Sequence, residues 1–166
     1  RETVQEYMRA QGMRCNCLRC REVTHRYFAL ENIQQAELVE RSYAASGGKE
    51  YFLSFEDPSR ETVFAFLRLR LPSEDADIIW SHIPELKHAG LIRELHTYGQ
   101  QVRIDQSQDS ASQHKGYGKQ LLERAEKIAQ NAGCKKMAVI SGIGVREYYR
   151  KRGYSLEGTY MVKFLA

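Results

Sequence analysis

Gly116 and Gly118 close the run Gln113-His114-Lys115-Gly116-Tyr117-Gly118, and a segment with helical spacing follows at once from Lys119. The first amides of a helix have no partners within it, and they sit at its positive end. An anion such as a phosphate is therefore stabilised where a loop without side chains lets it approach. A side chain at either glycine would hold a pyrophosphate away from the backbone. The same pair also suits an ordinary turn. Two better known phosphate loops are excluded: the dinucleotide pattern Gly-x-Gly-x-x-Gly is absent, and no Lys-Ser or Lys-Thr follows the last glycine.

A second cluster, Arg14-Cys15-Asn16-Cys17-Leu18-Arg19-Cys20-Arg21, sets three thiols so close together that disulfides among them are strained. In a reducing compartment, thiolate coordination of zinc by Cys15, Cys17 and Cys20 is the economical reading, and three reduced structural cysteines are the alternative. Zinc wants a fourth ligand; His25 is nearest in sequence, and Cys134 stands far along the chain.

These groups must be positioned by one domain of ordinary size. The chain has 166 residues and a formal net charge of +4, enough length for a self-sufficient core and a balance that permits an anionic partner without requiring one. No apolar run is long enough for a membrane helix, and the opening residues lack a secretory core, which predicts a cytosolic location and no membrane partner. The missing initiator Met predicts a piece of a longer protein. A helix-like pattern (Val4, Tyr7, Met8) stops at Gly12, and the cysteine segment reads as a linker. Strands follow: Leu38 to Ala44, a turn at Gly47-Gly48, then Tyr51, Leu53 and Phe55 toward one face, and Val63 to Leu71 alternating with Phe64, Phe66, Arg68 and Arg70. Residues 72 to 90 read as an irregular connection holding Trp80, and Leu91 to Tyr98 as a fourth strand. The polar loop Asp105 to Ser112 leads into the glycines. Leu121, Leu122, Ala125, Ile128 and Ala129 mark the long helix, ending near Gly133; then come a strand at Met137 to Ile140, a short helix at Val145 to Lys151, and one last strand from Tyr154 to Leu165.

The spacing Gln-x-x-Gly-x-Gly resembles the acetyl-coenzyme A signature of GNAT-type acetyltransferases, and the order of elements is similar to theirs. The resemblance implies an α/β (mixed α+β) GNAT-like fold: a central, mostly antiparallel mixed sheet with splayed strands and flanking helices. It further implies that Gln113, His114, Lys115, Gly116, Tyr117, Gly118 and Lys119 hold the pyrophosphate arm. Glu94, Leu95 and His96 on the fourth strand, and Gly142 after the next one, would offer groups to the pantetheine. Tyr149-Arg150-Lys151-Arg152-Gly153-Tyr154 matches the context in which such enzymes carry the tyrosine that protonates the leaving thiolate, so Tyr149 is the candidate general acid, with Tyr148 in its place if the helix is rotated. Packing at the core edge is the alternative for both. His96 and Glu94 point to one face where other members place a base, although a structural histidine is equally compatible.

Read together, the cysteine segment, Ile92 to Gly99, Ala138 to Gly142, Arg146 to Lys151 and Tyr160 to Lys163 resemble the acetyltransferase half of the Elongator catalytic-subunit family, the tRNA wobble-uridine carboxymethyl synthases. That resemblance implies residues 1–26 as an N-terminal helix and zinc-binding linker and 27–166 as the acetyltransferase domain. It implies acetyl-coenzyme A as acyl donor, tRNA as substrate, and a radical S-adenosylmethionine domain with an iron-sulfur cluster elsewhere in the full-length protein. Elongator-like subunits or a second copy of the chain are the assembly partners implied. Arg14, Arg19, Arg21, Arg150, Lys151 and Arg152 are candidate RNA contacts, since basic side chains attract phosphates without reading sequence and nearby tyrosines can stack bases. A protein lysine N-acetyltransferase and a noncatalytic module binding acetyl-coenzyme A or RNA are the competing readings.

Overall fold

The computed structural model describes residues 2–23, 35–73, 82–98 and 116–165. Trp80, His25, Arg26, the loop Asp105 to Ser112, and Gln113, His114 and Lys115 lie outside the described residues.

Helix α1 (Glu2–Ala10) stops where expected, with Gly12 at φ +67°. A short helix α2 (Leu18–Arg21) follows the cysteines. Strands β1 (Glu37–Ala44), β2 (Gly48–Glu56), β3 (Val63–Pro72) and β4 (Ala89–Thr97) form an antiparallel meander. The long helix α3 (Tyr117–Asn131), β5 (Lys136–Ile140), a 3₁₀ turn at Ile143–Val145, helix α4 (Arg146–Arg150), β6 (Ser155–Glu157) and β7 (Tyr160–Phe164) complete the fold. The sheet runs β1-β2-β3-β4-β5-β7-β6. β4 and β5 are parallel and the other pairs antiparallel, as a crossover through a helix requires.

The expected single strand over Tyr154 to Leu165 is instead a hairpin. Gly158 takes φ +54° and turns the chain so that Glu157 pairs with Tyr160. A two-residue turn with glycine at its first position is a hairpin signal, and Gly158-Thr159 carries it.

The core lies between α3 and one face of the sheet. Leu121, Leu122, Ala125, Ile128 and Ala129 are buried against Leu53, Leu67, Leu69, Ile92, Met137 and Met161. Complete burial of a leucine contributes about 1.5–3 kcal/mol, so Leu121 and Leu122 weigh heavily in holding the helix. Gly90 sets how closely it lies, since a Cβ there would stand 2.9 Å from that of Ala129.

The opposite face of β2 is also buried, but by charge. Glu56 is fully buried and accepts hydrogen bonds from Arg41 (2.6 and 3.0 Å), Arg21 (3.1 Å) and Ser54 (2.6 Å). Burial alone would raise its carboxyl, but the bonds from Arg41 and Ser54 and the charges of Arg21 and Arg41 outweigh that and hold it below the usual range. With the Glu22–Val63 bridge, this network ties the cysteine segment to the sheet.

Candidate functional site

β4 and β5 pair only from Ala89↔Lys136 to Ile92↔Val139. At that point Arg93 is an extra residue in β4, because Ile92 pairs with Leu69 and Glu94 with Arg68. Such a bulge bends its strand. Beyond it β4 keeps its ladder with β3 as far as Thr97, while among the described residues nothing pairs with its β5 side. The two strands thus diverge into a cleft bounded by Arg93 to Thr97 and by Ile140, Ser141 and Gly142, whose backbone donors and acceptors can take an extended chain of amides.

The N-terminus of α3 closes the mouth of this cleft. Its N-cap is Gly116, at φ −171°, and among the described residues no side chain caps the first turn, whose amides point out of the helix toward the mouth. Gly118 is buried, and a Cβ built on it would stand 2.9 Å from the Tyr148 hydroxyl and 3.4 Å from Thr97 Cγ2. Tyr148 therefore reaches the point where β4, the cleft and the first turn of α3 meet. Its hydroxyl is buried with no hydrogen-bond partner among the described residues. Burial raises its proton affinity, Arg152 opposes this, and Glu123 adds to it.

Tyr149, the candidate acid on sequence grounds, is 5% exposed, packs in the main core and makes edge contacts with Tyr148 and Tyr154. Burial pushes its phenol up to about 12. The helix phase thus gives the inward place to Tyr149 and the place at the cleft to Tyr148. Tyr117 is held against Phe55, ring centroids 4.2 Å apart, which anchors the start of α3. Lys119 is exposed beside Glu123 (3.7 Å).

Glu94 and His96 share a face as expected, but it is the face away from α3. Their neighbours Leu95 and Leu67 pair on the core side, whereas His96 stacks on Phe66 (5.0 Å) and Glu94 meets Arg68 (3.4 Å). Both are thus across the sheet from Tyr148. Gly142 lies exposed just after β5, where a Cβ would meet nothing within 4 Å among the described residues.

The sulfurs of Cys15, Cys17 and Cys20 all lie within 4.8 Å of one another. Tetrahedral zinc thiolates stand about 3.8 Å apart at Zn–S distances of about 2.3 Å, so this donor set fits zinc after small rotations. Cys17 is exposed and Cys134 lies at the far end of α3, away from the cluster. A cavity of about 600 Å³ opens beside the cysteines, lined by Met8, Arg9, Arg14 and Arg19 among others. It is separate from the β4–β5 cleft.

The basic candidates divide. Arg21 is committed to Glu56 with its side chain 14% exposed, and Arg152 lies over the Tyr148 ring, so both are engaged within the fold. Arg19 and Lys151 are exposed, Arg14 pairs with Glu61, and Arg150 pairs with Glu147 (3.3 Å). Exposed pairs of this kind are worth about 0–1 kcal/mol and yield readily to a phosphate.

Three comparisons bear on this site. Residues 19–154 match the Acetyltransferase (GNAT) family. The chain is 44% identical over 169 residues to a tRNA uridine(34) acetyltransferase of Methanocaldococcus jannaschii, with 99% of this chain and 30% of the relative covered. It is also 44% identical to Elongator complex protein 3 of Danio rerio, again over 99% of this chain and 30% of the relative. A solved structure of the archaeal Methanocaldococcus infernus Elp3 with an N-terminal deletion superposes with a TM-score of 0.80 at 43% identity, covering 99% of this chain and 38% of that one. The chain thus spans about a third of the length of the relatives it matches.

Proposed function

This chain belongs to the acetyltransferase (GNAT) family, and from that premise we propose that its β4–β5 cleft binds acetyl-coenzyme A for acetyl-dependent modification of the wobble uridine of tRNA. The observation that carries this reading is the meeting, at one point, of the diverging strands, the glycine-led start of α3 and the Tyr148 hydroxyl, which is buried without a hydrogen-bond partner among the described residues. The first-turn amides of α3 receive the pyrophosphate, with Gly116 and Gly118 leaving room for it. Backbone groups of Glu94, Leu95 and Gly142 receive the pantetheine amides, and the thioester then lies beside Tyr148.

When the acyl carbon–sulfur bond breaks, the sulfur leaves as a thiolate and needs a proton. The Tyr148 phenol donates it and is reprotonated from water. Tyr149 supports this role by packing against the Tyr148 ring. A radical S-adenosylmethionine domain with its iron-sulfur cluster would supply the carbon radical that joins the acetyl carbon to the uridine; the residues described here bind, orient and protonate. Cys15, Cys17 and Cys20 hold a zinc ion that braces the segment leading into the sheet, and Arg14, Arg19, Arg150 and Lys151 contact the tRNA backbone.

The test measures thiol release from acetyl-coenzyme A by this chain with and without tRNA, and acetyl transfer to lysine peptides. Binding lost in Gly116→Glu plus Gly118→Glu, and turnover lost with binding kept in Tyr148→Phe, is the expected result. Transfer to lysine peptides independent of RNA would favour a protein acetyltransferase, and binding without turnover under any condition a noncatalytic module.

A further inference from the structure

We infer that Arg152 is a positioning residue for Tyr148, holding the phenol at the cleft through a stack on its ring and a hydrogen bond to its backbone carbonyl. This rests on the cleft reading above. The Arg152 guanidinium carbon lies 3.5 Å from the ring centroid, and its Nη1 donates to the Tyr148 carbonyl at 2.6 Å. The local sequence produces this arrangement: Gly153, at φ +83°, ends α4 with its amide on the Arg150 carbonyl, and the turn folds Arg152 back over the last turn of the helix. Among the described residues its Nε is buried without a partner, so desolvation has been accepted to keep the guanidinium on the ring.

Tyr148 is thereby held between a cation on its face and the buried glycine and Thr97 at its hydroxyl. Arg152 and Tyr149 face it from its own helix and turn, and Glu123, itself beside Lys119, faces it from α3. The only cation directly on the ring is Arg152 among the described residues. As the C–S bond breaks, the phenol O–H passes its proton to sulfur and becomes a phenolate. Water adds to the acyl carbon to give acetate and a proton, and solvent returns a proton to the phenolate. A cation on the ring stabilises that transient phenolate and holds the ring, and with it the phenol oxygen, at the cleft. A lysine carries the charge without the planar stack.

Arg152→Met should lower kcat for thiol release about tenfold, the size of a partly desolvated cation–π contact, with little change in the Kd for acetyl-coenzyme A. Arg152→Lys should recover part of the loss. In a Tyr148→Phe background the same substitution should cost nothing more. In the unliganded chain, ¹³C titration of the Tyr148 ring carbon bearing oxygen should move to higher pH in Arg152→Met. That last measurement needs no acetyl-coenzyme A, so it decides the inference even if the cleft binds none. An equal loss in the Tyr148→Phe background, a loss confined to affinity, or an unmoved phenol titration would each overturn it.

Discussion

Gly118→Ala isolates the geometry at the mouth of the cleft. Away from contacts, alanine in place of a helical glycine stabilises by about 0.5–1 kcal/mol, which for a domain of this size raises Tm by about 1–4 °C. Here the new methyl would stand 2.9 Å from the Tyr148 hydroxyl and 3.4 Å from Thr97 Cγ2. Carbon contacts are most favourable at about 3.5–4.0 Å, so the phenol oxygen must retreat by roughly half an ångström or more. It has little freedom to do so, because Arg152 presses on the ring and Tyr149 meets its edge. Displacements of about 1 Å at a reacting group cost about 100-fold, so turnover should fall about 10- to 100-fold while the fold is retained. Gly116→Ala is the control: among the described residues its Cβ meets the movable Gln120 amide alone, at 3.3 Å, so its effect should fall on KM. Thiol release read with a thiol reagent, beside thermal melting, gives both numbers. Wild-type turnover in Gly118→Ala, in a protein that Tyr148→Phe inactivates, would refute the reasoning.

Tyr149→Phe should keep most turnover where Tyr148→Phe loses it, since the Tyr149 ring serves packing; equal losses in the two variants would contradict the assignment. Glu56→Ala should destabilise by about 3 kcal/mol, because Arg21 and Arg41 lose a fully buried partner, and a melt unchanged by the substitution would count against the network. As the folded Glu56 carboxyl is held below its unfolded value of about 4.3, its contribution is present above that pH and is lost as pH falls through the folded value, so Glu56→Gln should flatten the acid limb of the stability profile. Purified chain should carry one zinc by elemental analysis, and Cys17→Ser should lose it; full occupancy in that variant would remove Cys17 from the ligand set. Charge removal at Arg19 and Lys151 together should weaken tRNA binding and reduce its salt slope by about 2, with acetyl-coenzyme A affinity unchanged.

Elements built on strong local periodicity were legible in the chain. The apolar stripe from Leu121 to Ala129 gave α3, and the alternation in β3 and the glycines at its neighbour's turn gave the meander. The divergence of β4 from β5 was not legible from residue patterns, because it turns on one extra residue, Arg93, whose bulge is defined by pairing with β3 and carries no local mark. The division of places between Tyr148 and Tyr149 was not legible for a related reason. Adjacent helical residues point about 100° apart, and a helix as short as Arg146–Arg150 shows too little periodicity to fix its phase. Arg21 and Arg152 looked like solvent charges because their partners, Glu56 and the Tyr148 ring, meet them only in the fold. Gly158 did carry a signal: a glycine inside an otherwise strand-like run marks a turn or bulge, and here it splits one strand into two.

Calorimetric titration of acetyl-coenzyme A into this chain and into Gly116→Glu tests most directly whether the first turn of α3 grips the pyrophosphate. Saturable binding by the unaltered chain, weakened about tenfold or more by a carboxylate set against those amides in a protein of unchanged melting temperature, is the expected result. Equal affinity in the two proteins would contradict it.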